Sequence, residues 1–269
     1  MLAGRRLAVL TGAGMSTDSG IPDYRGPDSP PANPMTIHQF TSSHEFRQRY
    51  WARNHLGWRH MARTEPNTGH RALAALERAG VVTGIITQNV DLLHTKAGSR
   101  TVINLHGTYA QVVCLDCGHG MSRAALAEKL EAANPGFAER AEKVGGLAVA
   151  PDADAVVSDT ASFRFVDCPD CGGMLKPDIV YFGESVAKEI VEQAYSLVDD
   201  SDALLVAGSS LTVFSGYRFV RHAAAHGIPV GIINRGPTRG DELATVKVDA
   251  GCSPTLTLLV EELTGSRLT

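Results

Sequence analysis

Two short runs, Cys114-x-x-Cys117 and Cys168-x-x-Cys171, stand 50 residues apart, and a chain that uses them together must bring them to one point in space. Each is followed by a glycine, Gly118 or Gly172, which relieves crowding where backbone amides turn back toward thiolates. Four thiolates suit tetrahedral zinc, and a closed set of four cysteines is a structural site rather than a catalytic one. The spacing exceeds that of an ordinary zinc ribbon, so an insertion has to leave the site and return to it. Disulfides or redox-active pairs are the competing readings, and both need a setting that the rest of the sequence does not supply.

The first apolar run begins within a few residues of Met1. That leaves no room for a signal or transit peptide, and the expected location is the cytoplasm. No apolar run approaches the ~18 residues of a membrane span, so no membrane partner is expected. A net charge of -4 and a pI near 6.2 argue against a general electrostatic grip on nucleic acid. A monomer is the expected state.

Several apolar runs read as parallel strands covered on both faces: RRLAVL, VVTGIIT at 81–87, TVINL at 101–105, DALLVAG at 202–208 and IPVGII at 228–233. Helical spacing recurs in HRALAALERAG, with Gly80 where a C-cap glycine belongs, in AKEIVEQAYSLVDD and in GYRFVRHAAAHG. Alternating strands and helices predict an α/β fold, a Rossmann-like doubly wound parallel sheet. Two stretches break the rhythm and are assigned to a smaller zinc-binding module: 28–65, helical, and 110–178, which holds four of the five cysteines. The large domain is then 1–27, 66–109 and 179–269. The Gly/Ala-rich stretch at 145–155 reads as a loop inside the second insertion.

In an open α/β sheet, ligands sit beyond the carboxyl ends of the strands. After the first run comes LTGAGMSTDSGIPDYRG, a glycine turn that is neither of the two common phosphate loops: it has Thr17 where a third glycine is needed, and no Gly-Lys-Ser/Thr. It supplies Gly12, Ala13, Gly14, Ser16 and Asp18. Gln88, Asn89 and Asp91 follow the second run, His106 and Gly107 the third, Gly208, Ser209 and Ser210 the fourth, and Asn234 and Arg235 the fifth. Small residues let a pyrophosphate approach backbone amides, while Asn, Gln and Asp offer partners to ribose hydroxyls and a carboxamide. His106 can serve as a general base beside Asn89 and Asp91, or be a satisfied structural histidine; His94 is its nearest rival. Asn89 and Asp91 also suit helix capping, and Gly208-Ser209-Ser210 a plain turn. Cys252 reads as a small buried residue rather than a nucleophile.

Taken together these motifs resemble the sirtuins, NAD-dependent protein lysine deacylases, from about Leu7 to Leu259. The resemblance rests on GAGMSTDSGIPDYRG, TQNVDLLH at 87–94, His106-Gly107, the two Cys-x-x-Cys pairs, KPDIVYFGE at 176–184 and GSSLTV at 208–213, in that order. QRYWARNHLGW at 48–58, GSSLTVFSGYRF and INRGPTRGDELATVKVDAGC are similar to class II, the branch of the animal mitochondrial lipoamidase, although a bacterial cytoplasmic member fits better here.

The resemblance implies that Ala13 and Gly14 hold the pyrophosphate of NAD, with Pro22, Asp23, Tyr24 and Arg25 beside the nicotinamide ribose. It implies that Asp91 meets the carboxamide with Val90 alongside, Asn89 the ribose and its water, and Gln88 the ribose hydroxyls, while Ser16 supports the Asn89 loop. Gly208, Ser209, Asn234 and Cys252 would line the adenosine end, and Ser210, Arg235 and Gly236 would also contact the cofactor. Acyl-lysine would enter a channel between the modules, near Val180, Phe182 and Gly183. Its carbonyl oxygen would attack the ribose carbon that bears nicotinamide, and nicotinamide would leave; His106 would then take the proton of a ribose hydroxyl that attacks the bound acyl group, and water would complete the release of free lysine and O-acyl-ADP-ribose. One structural zinc would hold the small module through Cys114, Cys117, Cys168 and Cys171. Tyr50 and Arg53, in Y-x-x-R spacing similar to class III, share a helical face and could hold an acidic acyl group; a structural salt bridge at Arg53 is the alternative. Mono-ADP-ribosyl transfer and a non-enzymatic NAD or ADP-ribose sensor remain competing functions, as does nucleic-acid binding by the cysteine module.

Overall fold

A computed structural model describes residues 3–25, 34–143 and 160–265; the stretch 145–155 lies outside the described residues. Along the chain run β1 (Leu7–Thr11), α1 (Ile37–Ser42), α2 (His44–Arg63), α3 (Thr68–Arg78), β2 (Val82–Thr87), α4 (Leu93–Lys96), β3 (Val102–Asn104), β4 (Gly107–Cys114), β5 (Gly120–Ser122), α5 (Arg123–Ala133) and α6 (Phe137–Lys143). Beyond residue 160 come β6 (Leu175–Ile179), α7 (Lys188–Asp199), β7 (Ala203–Ala207), α8 (Phe214–Ala225), β8 (Val230–Ile233), β9 (Val246–Val248) and α9 (Cys252–Thr264). Contacts divide the described residues into two compact units, one of 3–25, 65–105 and 186–265 and the other of 34–64, 106–143 and 160–185.

The first unit holds a six-stranded sheet in the order β3-β2-β1-β7-β8-β9, parallel throughout. Counted among its own strands this is 3-2-1-4-5-6, the Rossmann order. Strands β1 and β7 are buried at every position, because side chains alternate between two covered faces. Leu7, Val9, Ala203 and Leu205 pack with Ala72, Leu73 and Leu76 of α3 and Leu256 and Val260 of α9. Ala8, Leu10, Leu204 and Val206 face the other way, onto Ala194 and Val198 of α7 and Phe219, Val220 and Ala223 of α8. Asn67 and His70 form a capping box at the start of α3, and Gly80 ends that helix at φ +76, with Val81 N–H returning to Leu76 O at 2.9 Å.

The second unit holds an antiparallel sheet, β5-β4-β6, with α1, α2, α5 and α6. Its aromatic core sets Phe40, Tyr50, Trp51 and Tyr181 edge-on or tilted at centroid separations of 5.4 to 6.4 Å. Arg123 is fully buried against Trp51 and Trp58, at 5.7 and 5.2 Å from the ring centroids, and donates to Asn54 Oδ1 and to the Asn54 carbonyl. Cation–π contact and charge-assisted bonds offset the cost of burying a guanidinium.

Candidate functional site

Strand order in the first unit reverses about β1, whose neighbours are β2 and β7. The ends of β1 and β7 form the switch point at which such sheets take a ligand. Gly12 N–H donates to Ala207 O at 3.2 Å and Gly14 N–H to Gly208 O at 2.9 Å. A Cβ on Gly208, whose φ is +66, would lie 2.3 Å from Met15 N, and one on Gly12 would lie 2.8 Å from Ser209 Cβ. The glycines are thus required by the backbone-to-backbone packing of two loops. The amides of Ala13, Ser209 and Ser210 have no acceptor among the described residues, so this edge offers N–H donors that suit a diphosphate.

Beside that edge the end of β2 turns under the glycine loop. Asn89 Nδ2 donates to Gly12 O at 3.0 Å and to Ser16 Oγ at 3.1 Å, and Ser16 Oγ donates to Asp91 Oδ2 at 2.6 Å. The other carboxylate oxygen of Asp91 accepts Leu93 N–H at 2.9 Å, an Asx-type turn just ahead of α4, whose N-cap is Leu92. Burial pushes the Asp91 carboxyl up, opposed by the bonds from Ser16 and Leu93. One side chain thus holds the turn before α4 and a place in the cluster, without being the N-cap itself. Val90 is half-buried between its two neighbours. Gln88 accepts from Ser209 Oγ at 2.7 Å, and its amide lies 2.6 Å from where a Cβ on Gly216 of α8 would sit.

At the end of β8, Asn234 Nδ2 donates to the carbonyls of Arg235 and Gly236, at 2.8 and 3.3 Å. Gly236, at φ +77, donates its N–H to Asp249 Oδ1 at 3.0 Å. Arg235 is exposed and lies against Gly251, just before α9. Cys252 is buried behind Gly208, and its thiol is pushed up to about 12 by burial and then by the exposed Asp18. It is a neutral packing residue at neutral pH. Pro22, Asp23 and Tyr24 are half-buried, Arg25 is exposed, and Arg25 N–H donates to Asp23 Oδ1 at 3.2 Å.

In the second unit His106 precedes β4, and its carbonyl accepts Val180 N–H at 2.9 Å. Gly107 follows at φ +76, where a Cβ would lie 2.1 Å from Asp178 O. No other residue fits there, so the His-Gly pair is fixed by the approach of β6. Phe182 and Gly183 are exposed beyond that strand, and Phe182 O accepts Ile37 N–H at 3.0 Å. Tyr50 is 2% exposed; its hydroxyl lies 3.3 Å from that of Tyr109, and Asn54 Nδ2 donates to both. Arg53, one turn on along α2, is half-buried.

The four cysteines converge as expected. Cys114 and Cys171 Sγ are 3.5 Å apart, Cys117 and Cys168 Sγ 3.7 Å, and all four sulfurs lie within 4.8 Å of one another without a disulfide. A tetrahedron with Zn–S near 2.3 Å has edges of about 3.8 Å, so the set fits zinc. The knuckles match bond for bond: Gly118 N–H returns to Cys114 O and Gly172 N–H to Cys168 O, with both glycines left-handed. Asp116 Oδ2 accepts Met174 N–H at 2.8 Å and ties one knuckle to the other.

A further buried polar group, not anticipated as a unit, underlies the Asn89 loop: Thr11, Thr87, His94 and His70. Only His94 carries a signal in the sequence, as a second histidine close to the loop; the threonines read as ordinary strand formers.

With this geometry in place, the comparisons with known proteins are specific. The profile described as "Sir2 family" matches residues 12–215. "NAD-dependent protein deacetylase 1" of Mycobacterium avium (strain 104) is 77% identical over 98% of this chain and 93% of its own length. "NAD-dependent protein lipoamidase sirtuin-4, mitochondrial" of Homo sapiens is 44% identical over 95% of this chain and 82% of its own. Among solved structures, "Sir2-p53 peptide-NAD+" superposes with a TM-score of 0.77 at 31% identity, covering 98% of this chain and 96% of that one. A Rossmann sheet with the hydrogen-bonded Ser16-Asn89-Asp91 cluster beside its switch point, a four-cysteine module and these relatives agree: the chain belongs to the Sir2 family.

Proposed function

We propose that this protein is an NAD-dependent protein lysine deacylase, acting on acylated lysines of protein substrates. The observation that carries the reading is the Ser16-Asn89-Asp91 cluster, hydrogen-bonded to the glycine loop beside the amides of Ala13, Ser209 and Ser210, which have no acceptor among the described residues. A carboxylate pushed up by burial, within a hydrogen-bonded cluster at a strand end, is the kind of group that functional sites collect.

When bound, NAD supplies an electrophilic ribose carbon whose bond to nicotinamide breaks. Ala13, Gly14, Ser209 and Ser210 hold the diphosphate edge, and Asn234, Arg235, Gly236 and Cys252 border the adenosine end. Asp91, with Val90 beside it, accepts from the carboxamide and orients it, while Pro22, Asp23, Tyr24 and Arg25 cover the reacting ribose. Asn89 orients the ribose and its water, its amide aimed by Gly12 O and Ser16 Oγ, and Gln88 bonds ribose hydroxyls. His106 takes a proton from a ribose hydroxyl as neutral imidazole. Val180, Phe182 and Gly183 line the acyl-peptide path, with Arg53 as a contact for the acyl end; Tyr50 is buried in the aromatic core with its hydroxyl held by Tyr109 and Asn54, so it acts there as packing beneath that contact. The four cysteines hold zinc as a structural brace, with no part in the chemistry.

The test is incubation with NAD and acetyl-, succinyl-, glutaryl-, hydroxymethylglutaryl-, lipoyl- and long-chain acyl-lysine peptides, with His106→Tyr as control. Deacylation of any peptide that is lost in the control supports the reading and names the acyl class. ADP-ribose appearing on protein without deacylation, or no turnover at all, contradicts it.

A further inference from the structure

We infer that His94 is a positioning residue for the Asn89 loop, acting through a hydroxyl relay that joins the ends of β1 and β2; only its kinetic consequence rests on the deacylase reading. Thr11 and Thr87 are the last residues of these strands and are partners in parallel register. Thr11 Oγ1 donates to Thr87 Oγ1 at 2.9 Å and lies 2.9 Å from His94 Nε2. Having given its one proton to Thr87, the Thr11 hydroxyl can only receive from His94, so His94 Nε2 carries a hydrogen. Thr87 Oγ1 also receives the backbone N–H of Asn89 at 3.1 Å. Two bonds therefore converge on Thr87, one from the His94 side and one from the loop that carries Asn89 and Asp91.

That tautomer leaves His94 Nδ1 a bare lone pair, with no partner among the described residues. His70 is set the other way: its Nδ1 accepts Asn67 N–H at 3.3 Å, and its Nε2 is left as an unpartnered N–H. The two rings are buried with centroids 4.8 Å apart and planes at 62°. An N–H and a lone pair of complementary kind are thus buried side by side, and each ring restricts the other. Burial holds His70 down to about 3 and His94 well below its ordinary value, so both are neutral at working pH. Asn67 extends the chain of bonds to the glycine loop, its Nδ2 donating to Met15 O at 2.9 Å. The arrangement fixes the loop from beneath by groups that need touch neither NAD nor substrate.

Two arms test this. Long-range proton–nitrogen NMR of the wild-type histidines near neutral pH should find His70 and His94 both as neutral Nε2–H tautomers; an Nδ1–H tautomer at His94 overturns the relay whatever the protein catalyses. Thr11→Val should lower kcat for nicotinamide release by roughly 10-fold with the peptide KM unchanged, and Thr11→Ser, which restores the hydroxyl, should recover it. Equal losses in both variants, or a loss confined to peptide KM, would assign Thr11 to packing and overturn the inference. If Thr11→Val does not fold, the tautomers decide. A wild type that never turns over NAD sinks the deacylase reading while the NMR arm still answers.

Discussion

Ser16→Ala removes a single hydroxyl, and the structure gives a worked consequence. Ser16 Oγ donates to Asp91 at 2.6 Å and accepts from Asn89 at 3.1 Å. Asn89 keeps Gly12 O as an acceptor, so the loss falls on Asp91, which is 7% exposed and retains only Leu93 N–H among the bonds described above. A bond to a buried ionised carboxylate contributes about 1.5–3 kcal/mol, against about 0.5–1.5 kcal/mol for a bond to its neutral form. Burial already lifts the Asp91 pKa above its unfolded value, so this group favours the folded state most in acid, and that contribution is lost as pH rises through the folded pKa. Ser16→Ala lifts the pKa further. The variant should therefore be destabilised by about 2 kcal/mol at neutral pH, with the deficit shrinking by about half once Asp91 is protonated. Urea unfolding of both proteins across a pH series, followed by circular dichroism, reads this directly. A deficit independent of pH, or below about 0.5 kcal/mol at neutral pH, would refute the claim that Ser16 stabilises a charged Asp91.

Three further outcomes follow from single contacts. Gly107→Ala sets a Cβ 2.1 Å from Asp178 O at a left-handed residue, and should cost more than about 3 kcal/mol, seen as a fall in Tm with loss of activity. Gly216→Ala replaces a glycine in the first turn of α8 yet pushes on the Gln88 amide at 2.6 Å; Tm should hold or rise while KM for NAD increases roughly fivefold, the worth of one hydrogen bond. Metal analysis should find one zinc per chain, and its removal by a chelator or by Cys117→Ser should unfold the four-cysteine module, measured as loss of protease resistance in 106–143 and 160–185.

The sequence was legible where burial is two-sided. β1 and β7 are covered on both faces and so appear as unbroken apolar runs, and the residues that follow each run are the ones found at the switch point. β9 escaped because an edge strand of three residues, with Val246 and Val248 exposed, carries no such run. The role of the glycines was only half visible: small residues at 12, 14 and 208 suggested a ligand, whereas the structure shows them consumed largely by packing against one another. The Thr11-Thr87-His94 relay could not be read at all, since it exists only through the parallel register of strands 76 residues apart. Arg123 and Asn54, 69 residues apart, are hidden for the same reason, and a lone arginine opening a helix reads as a solvated charge until two tryptophans close on it.

The most direct test of the account is a balance sheet of the reaction itself. With wild-type protein, NAD and a turned-over acyl-lysine peptide, mass spectrometry should find one nicotinamide released for each lysine freed, with the acyl group recovered on ADP-ribose and both products absent in His106→Tyr. Free carboxylic acid released without NAD consumption, or ADP-ribose transferred to protein with the acyl-lysine intact, would contradict it.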